Sequence, residues 1–302
     1  MSSSINRRSI LKKLVAGTTA LSLVPYSSYA SATIFKPDVA TNPSLSNSAE
    51  MKFRHSVCRW CFQDIPLAEL VYKAKDYGIS AIDLLKPEEW KVVKDTGLEC
   101  SLATDTFASI TNGFNTIENH KHLIKSYDLL IDKAADYGIK QVIVFSGNRN
   151  GLSDKKGIDN CALGLDPLIN SASKKGVTVV MELLNSKVDH KDYQCDHTEW
   201  GILLADKIGS DHFKLLYDIY HMQIMEGNVI ATINKYHKYI AHYHTAGVPG
   251  RHEIGSDQEL YYPAIIKAIA STGFSGYVAQ EFIPTYTNKL KALEESIKIC
   301  TV

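Results

Sequence analysis

Four ligand-type side chains, Glu182, Asp218, His244 and Glu281, each close a short apolar run in the second half of the 302-residue chain, at 179–182, 215–218, 242–244 and 278–281. Their separations of 26 to 37 residues are about the length of one strand–helix repeat. A single carboxylate at a strand end is ordinarily a helix cap or a surface ion pair. Four ligand types at consecutive strand ends instead describe the rim of a (β/α)8 barrel with a divalent metal at its mouth. Three carboxylates and one imidazole suit Mg2+, Mn2+, Co2+ or Zn2+ and do not suit a closed structural zinc.

Such an ion keeps positions open, and a sugar or hydroxy-keto acid chelating it through neighbouring oxygens has its carbonyl polarised and the adjacent C–H acidified. Proton transfer then needs an acid and a base. Glu182 and Glu281 fall on strands five and eight, three strands apart around the ring, and are expected to face each other across the mouth as that pair while also holding the metal. Asp218 and His244 lie between them as anchors. His221, just beyond the Asp218 strand end, is placed to donate to a substrate oxygen. In the loop 247–253, Arg251 is expected to clamp a carboxylate or a hydroxyl pair, with Glu253 orienting it. His242 points the same way as His244 but one layer deeper, so it reads as a core histidine. Tyr217 and Tyr220 read as packing residues.

These side chains converge only on a closed ring of parallel strands, and the sequence supplies eight strand–helix units. Strands are expected at 53–59, 79–85, 98–103, 141–145, 177–182, 214–218, 240–244 and 277–281. Helices are expected from Pro66 to Gly78, from Pro87, and at 120–137, 160–175, 198–208, 230–239, 262–271 and 288–299, with a polar loop over 104–119. A doubly wound open sheet shows the same alternation, but it opens with a glycine-rich phosphate loop, and none follows the first strand here.

The ends carry a different signal. Residues 1–32 hold Arg7, Arg8, Lys12 and Lys13 and no acidic side chain, then an apolar stretch and Ala30-Ser31-Ala32. This is the pattern of a twin-arginine export signal, with periplasmic localisation expected, followed by a polar linker over 33–51 and a single barrel domain over 52–302. Without the first 32 residues, 29 of the 33 basic side chains remain against 33 acidic ones, a formal charge of −4. That balance offers no general attraction to nucleic acid. The six cysteines include one Cys-x-x-Cys pair, Cys58 and Cys61, with no second such pair; their positions in strand-like segments favour buried thiols over disulfides or redox chemistry.

The most specific segments are 55–62, 181–185, 216–223 with Glu226-Gly227, 248–253 and 280–285. In these the chain resembles the hydroxypyruvate isomerase branch of the xylose-isomerase-like (β/α)8 superfamily, over about residues 53–285. The resemblance implies a metal-dependent aldose–ketose isomerase acting on a small keto acid or ketose, with ligands on Glu182, Asp218, His244 and Glu281, the two glutamates as its acid–base pair, and His221 and Arg251 touching substrate. His244 departs from the pattern, because hydroxypyruvate isomerases tend to have Gln there, and His is similar to the ketose 3-epimerase branch. An export signal is the second departure, hydroxypyruvate being a cytoplasmic metabolite. Alternatives are therefore a keto-sugar epimerase or a non-catalytic sugar-binding barrel. A DNA-cutting endonuclease of the same superfamily would need more histidines around the rim and a basic face.

Overall fold

The computed structural model describes residues 52–302. The expected export signal (1–32) and linker (33–51) lie outside the described residues. Among the described residues, strands and α-helices alternate as β1 (Arg54–Cys58), α1 (Leu67–Asp76), β2 (Ile79–Asp83), α2 (Pro87–Lys94), β3 (Glu99–Cys100), α3 (Ile117–Tyr137), β4 (Gln141–Val144) and α4 (Asp154–Lys175). The second half continues with β5 (Thr178–Glu182), α5 (Thr198–Ile208), β6 (Phe213–Asp218), α6 (Ile219–Met225), α7 (Val229–Tyr236), β7 (Ile240–Thr245), α8 (Tyr262–Ser271), β8 (Tyr277–Gln280) and α9 (Lys289–Ile299). All strand pairs are parallel, in the order β3-β2-β1-β8-β7-β6-β5-β4. Ala103 joins the two free edges by bridging to both Leu85 and Val142, its N–H donating to Gln141 O at 2.9 Å and its carbonyl accepting from Ile143 N at 3.0 Å. The ring is therefore closed, as the eight-unit reading requires.

The third strand is the weak link. Regular pairing covers Glu99–Cys100 alone, against an expected run of 98–103; beyond it Ser101 N still donates to Ile82 O at 3.1 Å, and the buried Ser101 hydroxyl turns to Ser56 and to the Asp83 carboxylate. Other boundaries moved for local reasons. Ser153 caps α4 six residues before its expected start, accepting from Lys156 N at 3.3 Å. The expected helix over 230–239 is an α-helix that tightens into a 3-10 turn at His237–Tyr239. The sequence predicts no helix between residues 218 and 230, where α6 follows β6 without a break. Its start is set by Asp218, whose carboxylate accepts from His221 N at 3.0 Å.

Outward-facing strand residues such as Ile82, Val179, Met181, Leu215 and Val278 are fully buried under the helices, each such side chain worth roughly 1.5–3 kcal/mol when removed from water. Gly201 lets α5 approach β6, since a Cβ there would come within 2.9 Å of Leu215. Gly176 ends α4 in the left-handed region at φ 66° and turns the chain into β5. The inward face is different in kind. Ser56, Cys58, Asp83, Ser101, His242 and His244 are all buried there and touch one another.

Candidate metal centre and active site

Strand geometry brings the four expected ligands together. Glu182 is the last residue of β5, Asp218 the last of β6, His244 the fifth of β7, and Glu281 the first after β8, its N–H donating to Thr245 O at 2.9 Å. One donor atom from each lies within 4.8 Å of all the others, and all four residues are buried. His244 Nδ1 sits 3.1 Å from Glu182 Oε1, 3.0 Å from Glu281 Oε2 and 4.0 Å from Asp218 Oδ2. Three buried carboxylates this close repel unless a cation stands among them. The protein supplies one such charge itself, since Arg251 Nη2 is 2.5 Å from Glu281 Oε2 and 3.9 Å from Asp218 Oδ2.

The charges within the cluster are unequal. Burial and the adjacent Glu281 push Glu182 up, and the same two causes push Asp218 well above the usual carboxylate range. Burial acts on Glu281 in the same sense, yet His244 and Arg251 beside it hold it well below that range. Burial disfavours the His244 cation, but Glu281, Cys58 and Asp83 around it raise it well above the ordinary imidazole value. An oxygen-rich set with one imidazole, carrying more negative charge than Arg251 alone neutralises, fits a divalent cation of the Mg2+, Mn2+, Co2+ or Zn2+ class.

Beside the cluster, the buried His221 imidazole is held by Asn185. The Asn185 amide nitrogen donates to His221 Nδ1 at 2.6 Å, which leaves the proton on Nε2. That Nε2 is buried, has no hydrogen-bond partner among the described residues, and stands 3.7 Å from Asp218 Oδ2. Asn185 is itself pinned, because its oxygen accepts from Val188 N and Asp189 N at 3.0 and 2.9 Å. Arg251 lies between the rings of Trp60 and Tyr220, its guanidinium carbon 5.1 and 5.4 Å from their centroids. Its backbone adopts φ 58°, a conformation costing an ordinary residue roughly 1–3 kcal/mol. Two contacts hold it there: Arg251 N donates to Gly247 O at 3.0 Å, and Arg251 O accepts from Ile283 N at 2.7 Å.

Residues 62–301 match the family model described as the xylose isomerase-like TIM barrel. The chain belongs to the xylose isomerase-like TIM barrel family. Among curated relatives, a Drosophila melanogaster protein provisionally named as a hydroxypyruvate isomerase is 27% identical over 73% of this chain and 87% of its own length. A 2-oxo-tetronate isomerase from Pectobacterium atrosepticum is 25% identical over 74% of this chain and 88% of its own. This member of the family is an isomerase, as those relatives are. Two solved structures share the fold. They are an AP endonuclease, family 2, from Brucella melitensis (TM-score 0.71, 21% identity, 80% of this chain and 96% of that one) and a 3-keto-D-glucoside 4-epimerase from E. coli (TM-score 0.68, 20% identity, 83% and 99%).

Within this xylose isomerase-like barrel one expected contact is not made. Glu253 does not orient Arg251. Its carboxylate accepts from Thr285 N at 2.8 Å and from the Thr285 hydroxyl, so it ties the loop after β8 to the loop after β7. Glu253 is buried beneath that junction, and both its oxygens are spent on Thr285. Tyr220 does more than pack, since its hydroxyl donates to Asp189 Oδ2 at 2.9 Å. Trp60 reaches the rim and donates its indole N–H to Glu281 Oε1 at 2.8 Å.

Asp83 was missed altogether. It ends β2 as Glu182 and Asp218 end β5 and β6, whereas the sequence places that strand's end at residue 85. Its carboxylate lies 2.8 Å from His244 Nε2 and 3.2 Å from His242 Nε2. Burial works to raise it, but the two histidines hold it well below the usual range. His242 is the deeper neighbour of His244, as the alternation predicts, with ring centroids 5.3 Å apart. All six cysteines are free thiols, and burial raises both Cys58 and Cys61 well above the ordinary thiol value, which fits the expectation of inert sulfur.

Proposed function

We propose that the chain is a metal-dependent isomerase of small hydroxycarbonyl acids of the hydroxypyruvate type, moving a proton between adjacent carbons through an enediolate. The observation that carries this reading is the convergence of Glu182, Asp218, His244 and Glu281 within 4.8 Å, beside an imidazole N–H of His221 that has no partner among the described residues. When bound by these four residues, a divalent cation polarises the substrate carbonyl and lowers the acidity barrier at the neighbouring carbon. Arg251 binds the substrate carboxylate, for which its planar fork is suited. The Nε2–H of His221, held in that tautomer by Asn185, donates to a substrate oxygen. The carboxylate of Glu182 removes the proton from the hydroxymethylene carbon and returns one to the former carbonyl carbon, while the hydroxyl and carbonyl oxygens exchange their single proton.

Glu182 and Glu281 are unequal partners in this scheme. Among the described residues Glu182 has one side-chain hydrogen bond, to His244, and is free to carry a proton. Glu281 is engaged by Trp60 on one oxygen and by Arg251 and His244 on the other, which favours a fixed, ionised ligand. Proton transfer between neighbouring carbons on one face needs a single mobile carboxylate. Epimerisation needs a donor on the opposite face as well. The second reading, a ketose 3-epimerase, is favoured by His244 and would require Glu281 to leave Arg251 and deliver that second proton.

The test follows deuterium from D2O into hydroxypyruvate and a panel of ketoses by NMR, with Mn2+, Mg2+, Co2+ or Zn2+ added to the purified protein. Exchange with formation of tartronate semialdehyde is the expected result. Exchange and inversion at C3 of a ketose would favour the epimerase, and no exchange into any compound with any of the four metals would sink both. We further infer export from Arg7-Arg8 and the small residues at 30–32; recovery of the whole pool in the cytoplasm after fractionation would remove that inference.

A further inference from the structure

We propose that Asp83 is a positioning residue for the metal centre, which through a direct hydrogen bond holds the proton of His244 on Nε2 and so presents Nδ1 to Glu182, Asp218 and Glu281. This inference rests on the reading of those four residues as a metal site. Asp83 reaches His244 across the barrel interior, from β2 to β7, and is fully buried. A carboxylate in such a place persists only where donors saturate it. Here Oδ2 takes the His244 Nε2–H at 2.8 Å and faces the Cys58 thiol at 3.6 Å, while Oδ1 accepts from the Ser101 hydroxyl.

The support continues one layer down. The Gln141 amide nitrogen donates to Ala241 O at 2.9 Å, which leaves its oxygen to accept from His242 Nδ1 at 2.8 Å. His242 Nε2 then lies 3.2 Å from Asp83 Oδ1, an ion-pair contact when the ring is protonated. Asp83 is thus buttressed from below and touches only the far nitrogen of the ligand above it. A histidine ligand whose second ring nitrogen is held by a carboxylate keeps one tautomer and one ring orientation, and loss of such a partner weakens metal binding about 10- to 100-fold.

The same donors admit a rival arrangement, in which Cys58, Asp83 and His244 hold an ion of their own. Nε2 and Oδ2 stand 2.8 Å apart, a hydrogen-bond separation, and ion stoichiometry together with a sulfur absorption band separates the two arrangements.

The experiment compares wild type with Asp83→Asn, which keeps the shape and removes the charge, by measuring Zn2+ and Mn2+ affinity against a chelating indicator, ion stoichiometry, and the melting temperature of the metal-free proteins. Wild type is expected to bind one ion per chain, and the variant to fold and bind one ion about 10- to 100-fold more weakly, with turnover recovering as metal is raised. Co2+-loaded wild type is expected to lack a thiolate charge-transfer band. Equal affinity in a folded variant would overturn the role of Asp83 alone. Two ions per chain with a sulfur charge-transfer band would overturn it in favour of direct ligation, and a wild type that binds no ion would sink the metal reading and this inference together. If the variant does not fold, 15N NMR of Zn2+-loaded wild type decides: a protonated Nε2 on His244 supports the proposal, and a protonated Nδ1 ends it.

Discussion

The two mouths of this barrel carry the same trio of an arginine, a glutamate and an aromatic ring in opposite states. At the C-terminal mouth Arg251 meets Glu281 at 2.5 Å, with side chains 12% and 4% exposed, and stands over Trp60, which donates to the same glutamate. At the N-terminal mouth Arg54 meets Glu99 at 3.0 Å, 46% and 60% exposed, and stands 4.1 Å over Tyr277, whose hydroxyl also donates to the glutamate. The chemistry is matched, so the difference is water. Loops after β7 and β8 close over the upper trio, where charges interact through a poorly screening medium; the lower trio is solvated and its attraction is largely cancelled. Space alone does not make a site either. A cavity of about 310 Å3 lies among Arg54, Glu99, Tyr137 and Tyr277 at the lower mouth, yet the convergent donor groups among the described residues all lie toward the other end.

This contrast can be broken or sharpened experimentally. The largest effect is expected from Glu182→Gln, which should lower turnover on the order of 10^2- to 10^4-fold without lowering the melting temperature of the metal-free protein; retained turnover would remove Glu182 from the chemistry. Arg251→Met strips the counter-charge from a buried carboxylate cluster. It should destabilise the metal-free protein by roughly 3–5 kcal/mol in urea titrations, with part of the loss recovered by added Mn2+; a change below about 1 kcal/mol would put the upper trio in the same class as the lower.

The third prediction concerns the lower half of the barrel. His55 on β1 is buried against Thr301, at 3.1 Å, and burial lowers it from 6.5 to about 4. Folding therefore favours its neutral form, and the unfolded chain binds the proton first. The stability it contributes is complete above about pH 6.5 and is lost as pH falls towards 4, a difference of about 3 kcal/mol. Urea midpoints at pH 7 and pH 4.5 should show this dependence in wild type and less of it in His55→Gln; an equal dependence in both would refute it. The smallest effect is expected from Arg54→Ala or Glu99→Ala, at most about 1 kcal/mol with turnover unchanged.

The candidate ligands were legible because a parallel strand that ends on a polar side chain at a barrel mouth leaves a periodic mark, and Glu182, Asp218, His244 and Glu281 all bear it. Asp83 does not, because the apolar run continues through Leu84 and Leu85, so its meaning depends on His244 arriving from across the ring. The α6 helix was invisible because Asp218 ends β6 and caps the helix at once, leaving no polar gap between the two. Glu253 was misjudged for the converse reason. Two residues from Arg251 in sequence, it turns to Thr285 on another loop.

By itself the sequence determined the repeat, the ring of eight strand–helix units and the four ligand types at its rim, since all of these follow from local periodicity and from which residues stop each strand. Only the tertiary structure decided which carboxylate is free and which is tied, that Asn185 leaves the His221 proton on Nε2, and that Asp83 faces the back of His244. Those are contacts between residues 36 to 221 positions apart, as for Asn185 with His221 and Trp60 with Glu281. Their energies depend on burial and direction, which closing the barrel creates and no local pattern encodes.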